Sequence, residues 1–187
     1  MISDDPTEPG TETSPPEFRR LEEWCQLLMQ ATMAVVYSVR LYSNTGMDAY
    51  IEHNALLVAF LTTYGKCFHP PKGGAPKLDE GAVFKGNEAL LTTHRRIMDL
   101  RDQYAGHNGI SDVVEGVLLV RESDDAYTVE TRLVTRFPSG EYQSFYNAAR
   151  IMSQYTQETF EDRLQKKARK LGKTVKISGH PGRIFHP

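Results

Sequence analysis

No run of about 18 consecutive apolar residues occurs in this 187-residue chain, so a membrane-spanning helix is excluded by length alone. Cysteine is scarce: Cys25 and Cys67 are the only two. Both fall in helix-like stretches, so no disulfide framework is expected and a reducing, cytoplasmic setting is the expected one. The opening MISDDPTEPG carries acid and proline in place of an apolar stretch and is not expected to act as a secretory signal. Net charge is small as well; a value of −2 exerts no global pull toward nucleic acid. What is present, 40% hydrophobic and 25% charged residues, is the balance of a soluble globular domain. A chain of this length buries a core without disulfide or metal staples.

The common catalytic templates are missing too. Gly73-Gly74 is an isolated pair among prolines, not a phosphate-cradling glycine loop. No Gly-x-Ser-x-Gly elbow occurs. The six histidines never stand three or four residues apart and no Cys-x-x-Cys exists, so neither a metal nor another cofactor is expected. Cys67 and His69 are close in sequence, but neighbours at a helix end rarely present nucleophile and base to one another, and a packing cysteine is the expected role.

Periodicity divides the chain. Residues 1–16 form an acidic, proline-bearing leader with Asp4, Asp5, Glu8 and Glu12, expected to be disordered. From Glu17 to Ser43, Leu21, Cys25, Leu28, Val35, Val39 and Tyr42 recur at alternating spacings of four and three, with Thr32 in the gap, which predicts a long amphipathic helix. A second helix is expected from Asp48 to Phe68, apolar nearly all round, before the Pro/Gly-rich loop at 69–76. A third is expected from Asn87, or already from Asp79, ending at Gly106. The period then drops to two: residues 113–137 read as a β-hairpin turning at Ser123-Asp124-Asp125, one face on the helices. A final helix spans Tyr142 to Lys170, followed by a basic tail at 171–187. The expected fold is mainly α: an antiparallel helical bundle over 17–170, with a small β-hairpin inserted between the third and fourth long helices.

One segment stands apart, Leu100-Arg101-Asp102-Gln103-Tyr104-Ala105-Gly106-His107-Asn108. Arginine holds a phosphate bidentately and stabilises charge that builds on it. A histidine titrating near neutrality moves protons. With an RNA 2′-hydroxyl as internal nucleophile, the two suffice for strand cleavage without a metal. On an ideal helix six residues turn about 600°, which sets the side chains about 120° apart, but Gly106 lets the chain leave helical geometry before His107. Asp102 or Asn108 would orient the imidazole. Spacing alone says little, because 13 arginines and six histidines yield such a pair about once by chance. A salt-bridged arginine and a helix-capping histidine explain the segment equally well.

The segment resembles the Arg-x(4–6)-His motif of the HEPN superfamily, with a polar residue after the arginine, and is most similar to its abortive-infection branch. Thr93-His94-Arg95-Arg96-Ile97-Met98-Asp99 and Tyr64-Gly65-Lys66-Cys67-Phe68 share the likeness, as does the strand that follows the motif. The resemblance spans residues 20 to 165. It implies a helical homodimer with the two motifs facing one another, acting as a metal-independent endoribonuclease in phage defence or a toxin–antitoxin system, with an antitoxin protein as partner. By position it assigns phosphate binding to Arg101, acid–base chemistry to His107 and the polar position to Asp102. Gly106 departs from the alanine usual there. Tyr104, Asn108 and Lys66 are candidate RNA contacts, Tyr104 by base stacking; a core or interface role is the more expected one for Tyr104, and a solvated surface explains Lys66 equally well. Two rival functions stay open. One is a catalytically silent HEPN-like module binding RNA, a nucleotide or a protein; the other is a plain helical interaction protein in which the motif only caps a helix.

Overall fold

The computed structural model describes residues 18–43, 50–69, 74–105 and 114–174, and four long helices dominate them. They are α1 (Arg19–Ser43), α2 (Tyr50–Lys66), α4 (Glu88–Ala105) and α5 (Tyr142–Lys170), with a single-turn α3 (Glu80–Val83) before α4. Strands β1 (Val114–Glu122) and β2 (Tyr127–Thr135) stand between α4 and α5. The fold class is the expected one, mainly α with a small hairpin.

The long helices pack as a square: α1 against α2 and α5, and α4 against the same two, so that α1 and α4 occupy opposite corners. Arg163 lies over the Trp24 ring and Lys167 over Phe18, which sets α1 and α5 antiparallel. Apolar side chains from all four helices fill the centre. Phe60 of α2 stacks on Phe145 of α5 at 5.8 Å, flanked by Leu57, Leu61, Ile97, Leu100 and Met152, all fully buried. Burial of each such side chain stabilises the fold by about 2 kcal/mol.

The start of the third helical region resolves an ambiguity of the sequence. Asp79 accepts from the Ala82 amide at 2.9 Å and caps α3; Asn87 accepts from the Leu90 amide at 3.1 Å and caps α4. Gly86, with φ of 75°, turns the chain between them. Both helix starts therefore exist, separated by a break.

Two expectations are corrected. The buried face of α1 is Trp24, Leu27, Leu28, Ala31, Ala34, Ser38 and Leu41, whereas Val39 and Tyr42 are 41% and 54% exposed and Cys25 is exposed too. Because α1 is apolar around most of its circumference, a four–three spacing fits more than one face. Packing selects the face that carries the fully buried small residues Ala31, Ala34 and Ser38. The hairpin, expected to lay one face on the helices, makes no more than marginal contact with any helix among the described residues; its strands pair antiparallel, Val120 opposite Val129. Leu118, Val120, Tyr127 and Val129, all on one face, are 53–67% exposed.

Candidate functional site

The arginine of the motif lies in the last two turns of α4, with 13% of its side chain exposed. It runs across the backbone of α2 at Gly65, a buried glycine in the last turn of that helix. A Cβ at Gly65 would overlap the Arg101 Cδ and stand 3.2 and 3.3 Å from its Nη1 and Nε. Only glycine admits the arginine along this path. Asp102, 63% exposed, then takes the guanidinium: Nε donates to Oδ1 at 2.9 Å and Nη2 donates to the same oxygen. Among the described residues, these are the guanidinium's hydrogen bonds, and they leave the Nη1 edge for another acceptor. The two-point hold removes most of the rotamer freedom that a long side chain normally keeps.

Tyr104, one turn on, packs its ring against the bundle core with its hydroxyl buried. Lys66 is exposed at the end of α2, next to Gly65. His107 and Asn108 lie outside the described residues.

A second polar cluster was not assigned a role from the sequence. His94, 2% exposed, stands two turns before Arg101 on α4. The Tyr64 hydroxyl donates to its Nδ1 at 3.0 Å, and its Nε2 donates to Glu80 of α3 at 2.9 Å. That pairing satisfies both ring nitrogens of a neutral imidazole in one tautomer. The Phe68 and Phe84 rings pack on it at 4.3 and 5.3 Å. Burial lowers the His94 pKa below its ordinary value, against the opposing pull of Glu80, and raises that of Tyr64. An open cleft of about 350 Å³ passes this point, lined among others by Lys77, Asp79, Glu80, Arg95 and Asp99. The cleft carries both signs of charge, and its one buried imidazole already has two partners.

At the other end of α2, His53 Nε2 lies 2.6 Å from the Tyr142 hydroxyl, with the Phe137 ring 4.6 Å away. Burial lowers the His53 pKa and raises that of Tyr142. Cys67 is buried and free, its thiol pushed up to about 12 by burial, while His69 is exposed. Burial in the core and a raised thiol are the surroundings of a packing cysteine. No cluster of three or more metal-ligating side chains exists among the described residues.

Gly65, named from the sequence only as part of the Tyr64–Phe68 likeness, was not read there as a contact of Arg101. Its signal was present: a glycine inside an otherwise continuous apolar helix costs about 1 kcal/mol against alanine, and such a residue usually has a packing reason.

No protein-family model, curated protein or solved structure matches the chain. Among the described residues no helix is long and apolar enough to cross a membrane.

Proposed function

We propose that this protein is a HEPN-like, metal-independent endoribonuclease. The observation that carries the reading is the preset pose of Arg101, threaded past Gly65 and held by Asp102 with one guanidinium edge unspent. A cation fixed in this way meets the charge that builds on a phosphate without reorganising at the moment of reaction. In this reading Arg101 grips the scissile phosphate and His107 moves the proton. The RNA 2′-hydroxyl attacks the adjacent phosphorus, its proton passes to the base, and the 5′-oxygen of the next nucleotide leaves with a proton from the acid. The products carry 2′,3′-cyclic phosphate and 5′-hydroxyl ends. Two copies contribute one motif each, Lys66 and Asn108 contact the RNA, and a protein antagonist of the toxin–antitoxin kind restrains the activity in the cytoplasm.

The test is incubation of wild type, Arg101→Ala and His107→Ala with mixed cellular RNA in EDTA, with end-group analysis of any fragments. The expected result is cleavage by wild type alone, leaving cyclic phosphate ends. A folded wild type that binds RNA through Arg101 without cutting it would replace the nuclease with a silent binding module.

A further inference from the structure

The outward face of α1 carries an apolar stripe, and among the described residues α1 packs chiefly against α2 and α5, on its other side. Opposite its buried residues, Glu22, Cys25, Met29, Thr32, Val36, Val39 and Ser43 follow one another at spacings of three and four, the seam spacing of paired helices. Met29 and Val39 are 42% and 41% exposed, Cys25 is exposed, and Met33 and Val36 are half-buried along the same line. An exterior helix face is normally its polar one. From Cys25 to Ser43 the stripe is about 27 Å long.

The charges of this face point to what covers it. Glu22 at its beginning and Arg40 near its end are both exposed, and they are the acidic first-turn and basic last-turn residues of α1. A second α1 running the opposite way sets Glu22 of each copy beside the partner's Arg40 and opposes the two helix dipoles. A parallel partner would set Glu22 against Glu22 and Arg40 against Arg40. The chain's own first 17 residues offer only Met1 and Ile2 as large apolar side chains and carry five carboxylates, a poor cover for Met29, Val36 and Val39.

We infer that α1 is a self-association surface, pairing antiparallel with α1 of a second copy about a two-fold axis near Thr32. Met29 then packs on the partner's Val36, and Cys25 on the partner's Val39. A seam of this length, one helix wide, covers about 300 Å² on each copy, short of the roughly 800 Å² per partner of a standard stable interface, so the association is weak and reversible. Because α1 and α4 sit at opposite corners of the bundle, the pairing leaves the Arg101 side open. It stands whether or not the protein cleaves RNA.

The experiment is sedimentation equilibrium of the full chain from about 2 to about 200 μM, the range in which a small interface of this kind dissociates. The expected result is a mass that rises with concentration, and that Val36→Glu returns to half its high-concentration value. Glu22→Arg and Arg40→Glu each weaken association several-fold, and the double exchange restores it. Oxidation adds a geometric readout. In the antiparallel register two Cys25 side chains lie about 21 Å apart along the seam, so wild type does not cross-link whereas Val39→Cys does. A mass unaffected by Val36→Glu overturns the proposal, as does a wild-type dimer linked through Cys25, which would report parallel pairing. Circular dichroism of each variant separates lost association from lost folding.

Discussion

Gly65 of α2 and Arg101 of α4 share one volume: the space that a Cβ would occupy at the glycine is filled by the arginine's Cδ. Gly65 is buried in a helix where alanine would otherwise be favoured, so its place there reflects the contact and not helix propensity. The arginine, in turn, is nearly covered although charged side chains are normally exposed. Each residue explains an oddity of the other.

Gly65→Ala is therefore expected to destabilise the fold by about 1–3 kcal/mol, as overpacking does, in spite of the better helix former. In an Arg101→Ala background the same change is expected to be neutral or mildly stabilising, because the obstruction is gone. Urea unfolding of the four proteins measures the coupling. Additive effects of the two substitutions would show that the arginine does not occupy that path.

Stability is expected to fall in mild acid. His94 and His53 both have folded-state pKa values below 6.5, because burial disfavours the imidazolium. The unfolded chain then binds protons that the folded chain refuses, so the contribution is complete above about pH 6.5 and is lost as pH drops toward the folded values. Urea midpoints at about pH 7.5 and about pH 5 check the direction. The difference is expected to shrink in His94→Gln. An unchanged midpoint across that range would mean the imidazoles are not held neutral.

Tyr64→Phe removes the hydroxyl that donates to His94 Nδ1 and leaves a buried acceptor without a donor. The expected loss is about 1–3 kcal/mol. Phe at this position keeps the ring's packing on Phe60 and Phe68, so thermal unfolding isolates the hydrogen bond.

Asp79→Ala is expected to cost about 1 kcal/mol by uncapping α3, and to loosen the Glu80 contact with His94. Hydrogen exchange at the α3 amides reads the local effect. On the same measurement the β1–β2 amides are expected to exchange faster than those of α2, since a two-stranded hairpin without a packed face is marginal in water.

The helices and the hairpin were legible because their signals are local. The four–three spacing along α1, the prolines and glycines at 69–76, Asn87 before an apolar run and the alternation at 127–137 act within a few residues of one another. Arg101 and Asp102 meet because neighbours on a chain stay neighbours in the fold. What the chain's one-dimensional pattern left open is what depends on distant segments meeting. Which apolar face of α1 goes inward was decided where α2 and α5 pack on it, and the face they bury carries the small residues Ala31, Ala34 and Ser38. His94 became a buried imidazole only when Tyr64, 30 positions earlier, and Glu80 reached its two nitrogens. Among the described residues the hairpin makes no more than marginal contact with any helix, a property of the whole packing and not of the strands. Gly65 shows the divide in one residue: the sequence marks it as unfavourable in a helix, and only the crossing of α4 supplies the side chain that needs the room.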